Sequence, residues 1–310
     1  MAIWIDTDMG FDDIAAVLCV THAGLKIDGM SLVAGNCPLP QVCSNAAAAA
    51  SLFNWQFPIH AGRACPVLGR LETAERIMGP TGMLTAGQSL PSATLKPDIP
   101  AFDALCNWLQ APTAPGDERH ILALGPLGNI AALILARPEL AAKIDRITWM
   151  GGAVSLGNHT PSAEYNAFAD PEALSIVLAH NVPLRMVDLD LCRQVIATPQ
   201  DVVAIRKARG KNAPLLADLI QGYINIGLSR GRQGMAIFDP CAAIAVTNDD
   251  VITFAPARID IDLNTGPSRG RTIVDPRPAA IKNAEYAVGV DAVTAREMIF
   301  AALQAEAEKE

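Results

Sequence analysis

The sequence predicts an open, mostly parallel α/β sheet with helices on both faces, Rossmann-like in outline and built as one domain over residues 1–310 with a helical elaboration. Two observations carry that expectation. Apolar runs of strand length alternate with stretches of helical periodicity up to about residue 188. No internal repeat, low-complexity tract or linker interrupts the chain.

In order, Ile3-Trp4-Ile5 reads as a buried strand and Gly10 as a turn. Ile14, Val17 and Leu18 then recur at helical spacing, with Asp12 or Asp13 as the cap. Met30-Ser31-Leu32-Val33-Ala34 forms a second strand closed by Gly35-Asn36. An Ala-rich helix over 41–53 leads to a short third strand, Pro58-Ile59-His60-Ala61. Such a β-α-β-α-β opening implies a parallel sheet, whose ligands bind beyond the carboxyl ends of the strands.

Residues 62–97 break the rhythm with Pro66, Gly69, Gly79-Pro80, Gly82, Gly87, Pro91 and Pro97. The apolar residues among them (Leu68, Leu71, Ile77, Met78, Met83, Leu84) suggest a lid rather than a linker. Alternation resumes with a helix over 100–110, the strand His120-Ile121-Leu122-Ala123-Leu124, a glycine turn and a helix over 130–136. Ile147-Thr148-Trp149-Met150 is the next strand, ending at Gly151-Gly152. A polar loop carries Asn158, Glu164, Asn166 and Asp170 into a helix near Pro171, which Asp170 caps, and a strand follows over 184–188. Beyond residue 198 come two consecutive helices (199–208 and 213–229), a loop with Arg230 and Arg232, and a helix over 240–246. Short strands over 257–289 and a terminal helix over 291–307 complete the chain.

Composition excludes several classes of function. A chain of 310 residues, 51% apolar, buries a sizeable core, and a net charge of −8 argues against a nucleic-acid partner. An acidic strand-turn at the very start leaves no room for a signal peptide, and no apolar run spans a bilayer, so no membrane partner is expected. Seven scattered cysteines without a Cys-x-x-Cys pair suit free thiols in a reducing cytoplasm.

The chemistry concentrates at the first turn. Asp6, Asp8, Asp12 and Asp13 fall on one short segment between strand and helix. Capping uses one carboxylate; four together repel unless a cation neutralises them, and oxygen donors suit Ca²⁺ or Mg²⁺.

The pattern Asp-x-Asp-x-Gly-x-Asp-Asp resembles the signature of the nucleoside hydrolases, and further motifs follow in that family's order: Gly35-Asn36, Leu124-Gly125-Pro126-Leu127-Gly128-Asn129, Met150-Gly151-Gly152 with Asn158 and Ala163-Glu164-Tyr165-Asn166, and Asp239-Pro240-Cys241-Ala242. The resemblance implies the nucleoside hydrolase fold and calcium-dependent cleavage of the N-glycosidic bond of ribonucleosides. It also implies a homodimer or homotetramer. It places the metal on Asp8, Asp13, Asp239 and the Leu124 carbonyl. Asp8 becomes the base for water, Asp12 the acceptor from the 2′-hydroxyl, and Asn36 a water-positioning residue. Met150 belongs to the sugar-binding stretch, where Asn166 binds the diol and Asn158 and Glu164 the 5′-hydroxyl; Asp6 braces the turn.

Two positions depart from the family. Histidine is common before the late Asp-Pro and in the early lid, where this chain has Phe238 and Met78. Neither can donate a proton, so either Phe238 stacks on a purine-like base, with Met78, Tyr223, Arg230 and Arg232 as further base contacts, or the substrate is a ribosyl compound whose leaving group needs no acid, such as a modified or cationic base. Two alternatives stand beside this reading. One is a nucleoside-binding or sensing protein with weak or no turnover. The other is a haloacid dehalogenase-type phosphatase, which needs Ser or Thr where this chain has Gly10.

Overall fold

The computed structural model describes residues 1–96, 99–114 and 116–310; Pro97, the last residue of the predicted lid, lies outside them. The first half alternates as its periodicity requires: β1 (Ala2–Thr7), α1 (Phe11–His22), β2 (Ile27–Leu32), α2 (Leu39–Leu52) and β3 (Ile59–Ala61). The irregular segment that follows contains one short helix, α3 (Glu75–Met78), before α4 (Ala101–Gln110) and β4 (Arg119–Ala123). Next come α5 (Gly128–Ala136), α6 (Pro138–Ala141) and β5 (Arg146–Met150). The predicted polar loop holds a helix of its own, α7 (Tyr165–Ala169), ahead of α8 (Pro171–Ala179) and β6 (Leu184–Val187).

The second half carries α9 (Leu189–Cys192), β7 (Ile196–Ala197), α10 (Pro199–Lys207), α11 (Ala213–Leu228), β8 (Met235–Ala236) and α12 (Asp239–Thr247). It ends with β9 (Ile252–Ile261), β10 (Thr272–Asp275), β11 (Ala284–Val290) and α13 (Ala292–Ala307).

Nine strands form one sheet in the order β10-β9-β11-β6-β5-β4-β1-β2-β3. The run from β3 to β11 is parallel, and β9 and β10 extend it antiparallel at one edge. The short strands expected over 257–289 are β9, β10 and β11, which begin earlier, at Ile252, and lengthen the central sheet. Their residues are only partly buried, as suits strands at a sheet edge. A small ribbon, β7 with β8, stands apart.

The sheet separates two cores. On one face α1, α12 and α13 pack with Ile3, Ile5, Met30 and Leu32. On the other, α4, α5 and α8 pack with Trp4, Ile121, Ile147 and Trp149. The chain runs outward from β1 through β2 to β3, then returns to β4 on the opposite side of β1. The crevice beyond the carboxyl ends of β1 and β4 is thus the topological switch point, where open α/β sheets bind ligands. Asp8 follows β1 and Leu124 follows β4.

Candidate active site

The acidic turn is a rigid corner. Met9 takes a left-handed φ of 43°, which is strained for a side chain of its size and lets the backbone reverse between Asp8 and Gly10. The Thr7 hydroxyl accepts from the Met9 N–H at 3.0 Å and itself donates to Asp13. Gly10, rather than Asp12 or Asp13, is the N-cap of α1; its N–H donates to Asp13 Oδ2 at 2.7 Å. Asp12 and Asp13 lie in the first turn of α1, where Asp12 lines the crevice and Asp13 sits just behind its surface. A Cβ on Gly10 would sit 2.6 Å from Asn36 Nδ2, and one on Gly35 would sit 2.0 Å from Asp8 Oδ2, so both turns close directly on the acids.

Each acid has a defined partner. Both oxygens of Asp8 accept from Asn36, one from its backbone N–H at 2.7 Å and one from Nδ2 at 3.0 Å. Tyr223 stands with its hydroxyl 3.2 Å from Asp12 Oδ2 and 2.9 Å from the Ala236 carbonyl. Asp6 points away from the crevice, accepting from Asn129 Nδ2 at 2.8 Å and from Ser31, so it ties β1 to β2 and to the turn after β4. Carboxylate oxygens of Asp12, Asp13 and Asp239 lie within 4.8 Å of one another. Asp8, whose oxygens accept from Asn36, lines the same cavity beside that group of three.

On the opposite wall, Asn166 Nδ2 donates to the carbonyls of Leu124 and Met150, at 3.0 Å each, tying the ends of β4 and β5 to α7. Glu164 is the N-cap of α7. It accepts from the N–H groups of Asn166 (2.8 Å), Ala167 (3.0 Å) and Gly152 (2.8 Å). Asn158 Oδ1 accepts from the Tyr165 N–H at 2.9 Å.

These elements enclose one cavity, lined by Asp8, Asp12, Asn36, Leu124, Met150, Asn158, Glu164, Asn166, Phe238 and Asp239. Met78, Tyr223, Arg230 and Arg232 complete the set expected from the sequence. Of the expected site residues only Asp13 stays behind the cavity surface, fully buried. Ile77 and Met78 of α3 form part of the wall, so the irregular segment does cover the site.

Sequence reasoning missed His159, Tyr165 and Arg193. His159 Nε2 lies 3.0 Å from Glu72 Oε1, and its ring packs 4.5 Å from Phe168. The Tyr165 hydroxyl reaches the Gly35 carbonyl at 2.6 Å, and Arg193 donates to the Gly157 carbonyl at 2.9 Å. Arg193 comes from after α9, a helix too short to show periodicity. His159 followed a turn that pattern reading treats as solvent-facing. His159 follows Asn158 directly and Tyr165 lies between Glu164 and Asn166, a proximity that was the available signal for those two.

The electrostatics of the floor are unusual. Burial pushes Asp8 well above the carboxylate range, and Asp13 and Asp12 add repulsion. Burial and Asp13 raise Asp12 to about 7, and burial with Asp12, Asp13 and Asp8 drives Asp239 up as well. Asp6 reaches about 6 and Glu164 about 7, each chiefly by burial. Among the described residues no lysine, arginine or histidine forms an ion pair with Asp8, Asp12, Asp13 or Asp239. Buried carboxylates of this kind need an external cation or protons, and all-oxygen donors fit a hard divalent metal.

The model of the family "inosine-uridine preferring nucleoside hydrolase" matches residues 3–297. The pyrimidine-specific ribonucleoside hydrolase RihB of Escherichia coli is 30% identical over 298 residues, covering 92% of this chain and 91% of that protein. Among solved structures, a purine-preferring ribonucleoside hydrolase from Gardnerella vaginalis superposes with a TM-score of 0.89 at 26% identity, covering 99% of each chain. The plant nucleoside hydrolase PpNRh1 gives 0.88 at 25% identity, covering 98% of this chain and 99% of its own. The match displaces the phosphatase alternative. The chain belongs to the inosine-uridine preferring nucleoside hydrolase family and is an N-glycosyl hydrolase.

Proposed function

We propose that this chain hydrolyses the N-glycosidic bond of ribonucleosides in a calcium-dependent reaction that releases free base and ribose. The observation that carries the reading is the buried set Asp12, Asp13 and Asp239, with Asp8 beside it and no cation among the described residues paired with any of the four. Asp8, Asp13, Asp239 and the Leu124 carbonyl would hold the ion. Calcium, when bound, supplies positive charge that draws in the ribose diol and acidifies a neighbouring water.

The chain's own groups do the rest. Asp8, fixed through both oxygens by Asn36, takes a proton from water as that water adds to C1′. Asp12 accepts from the 2′-hydroxyl, and Asn166 holds the diol from a side chain already fixed by two carbonyls. Asn158 and Glu164 hold the 5′-hydroxyl at the end of the ribose. As the C1′–N bond breaks, its electron pair leaves with the base, and the carboxylates stabilise the positive charge that develops on the sugar. Phe238 stacks on the base, a contact worth about 1 kcal/mol, with Met78, Tyr223, Arg230 and Arg232 shaping base preference.

Residues 1–310 act as one catalytic domain in this reading, in a homodimer or homotetramer. Seven free cysteines favour a reducing cytoplasm, and no helix among the described residues is long and apolar enough to cross a membrane. The deciding experiment follows free base and ribose from a panel of ribosides, with calcium and with chelator. Calcium-dependent ribose release is expected. Tight riboside binding with no release from any member would instead make this a nucleoside-binding protein.

A further inference from the structure

His159 is the one histidine among the described residues that lines the cavity, and neither Met78 nor Phe238 in the same walls can donate a proton. Its setting is built rather than incidental. Nε2 is held by Glu72 at 3.0 Å, and the ring packs against Phe168 at 4.5 Å and against Tyr165 at 5.5 Å. The Glu72 backbone carbonyl in turn accepts from the Tyr165 hydroxyl at 3.0 Å, which ties the backbone that carries Glu72 to the same wall. Nδ1 makes no hydrogen bond to any described residue and remains available to a ligand.

His159 and Phe238 are half-buried residues of the cavity lining, which also holds the buried Asp8, Asp12 and Asp239 and the exposed Arg230 and Arg232, so His159 shares one cavity with the acids.

We propose that His159 is the general acid of this enzyme, with Glu72 as its positioning residue; the proposal rests on the ribohydrolase reading above. The protonated imidazole, held at Nε2 by Glu72, donates its Nδ1 proton to a ring nitrogen of the departing base. The C1′–N bond breaks, its electron pair stays on the base, and water adds to C1′ while its proton passes to Asp8. Transfer of that proton back to the imidazole through solvent restores both groups, so base plus ribose is formed from nucleoside plus water.

The test compares two leaving groups in one active site. Inosine and uridine need a proton on the departing nitrogen, whereas 4-nitrophenyl β-D-ribofuranoside releases a stable anion. H159F keeps an aromatic ring against Phe168 and H159Q keeps polarity. In both, kcat on nucleosides should fall about 100-fold or more, the usual scale of a lost general acid, while nitrophenyl riboside turnover stays within about threefold of wild type. E72Q should shift the same ratio in the same direction by a smaller factor. Free ribose binding, followed by calorimetry, checks that the floor is intact. Equal losses on both leaving groups, or unchanged nucleoside turnover, overturn the assignment of His159 alone. A wild-type protein that cleaves neither kind of substrate with calcium present overturns the ribohydrolase reading and this assignment together.

Discussion

Asp13 is the residue on which the floor depends most, because it links the turn to the cluster. Its carboxylate accepts from Thr7 and from the Gly10 N–H, and it lies with oxygens of Asp12 and Asp239 within 4.8 Å. Removing an outer partner of a metal ligand typically costs 10–100-fold in affinity, so Asp13→Ala should cost at least ~100-fold in calcium affinity. Activity should disappear with it. Calcium stoichiometry by equilibrium dialysis beside ribose release checks this, and a variant that keeps full calcium occupancy would sink the proposed ligand set. A second residue-scale prediction concerns Phe238, which lines the same cavity as His159. If both face the departing base, Phe238→His introduced into H159F should recover about tenfold in inosine turnover over H159F itself. No recovery would mean that position 238 does not reach the leaving nitrogen.

Between elements, the irregular segment before α4 is pinned to α11 at one place. Asp218 Oδ2 accepts from the Gln88 N–H at 2.7 Å, its backbone carbonyl accepts from Ala86, and Arg206 pairs with Oδ1 at 2.9 Å. A Cβ on Gly222, one turn along α11, would lie 2.3 Å from the Leu84 carbonyl, so the covering segment and the helix meet backbone to backbone. Asp218→Ala frees the segment that carries α3 over the cavity, and should raise KM for a riboside several-fold while costing about 1–2 kcal/mol of stability. Limited proteolysis gives the independent readout: faster cleavage within 79–90 is expected, and an unchanged pattern would show that the clamp is dispensable. The same region shows what a sequence does and does not reveal. Apolar runs of strand length and stretches of helical spacing place β1 to β6 and the long helices, because the central strands are buried on both faces. The acids of the first turn were visible as a set, since four charges on one turn have no bland account. The joining of β9 to β11 onto the central sheet and the short α7 were not visible, and neither were the partners Glu72 and Asp218, which meet residues 87 and 130 positions away in the chain.

For the molecule as a whole, the acidic floor is a source of instability that a cation relieves, and pH exposes it. Asp12 is raised to about 7 and Asp6 to about 6 from the ordinary carboxylate value of 3.8, mainly by burial, so the folded chain binds protons that the unfolded chain has already released. Stability from these groups is fully present below about pH 4 and is lost as pH rises through 6 to 7. His120 acts in the opposite sense: burial, with Arg146 and Arg185, lowers it from 6.5 to about 3, so its contribution declines as pH falls below 6.5. Calcium holds its carboxylate ligands ionised but leaves His120, on β4 away from the crevice, untouched. The difference in Tm with and without calcium therefore isolates the floor. That difference should be largest near pH 8, where the apo cluster carries unbalanced charge, and should shrink by half or more by pH 5.5, where protons occupy it. Calorimetric titration in buffers of different ionisation enthalpy should show protons released as calcium binds at pH 7, because the raised groups give theirs up. A calcium-induced Tm shift that stays constant from pH 8 to 5.5, with no proton release, would mean that the buried carboxylates are not the ligands.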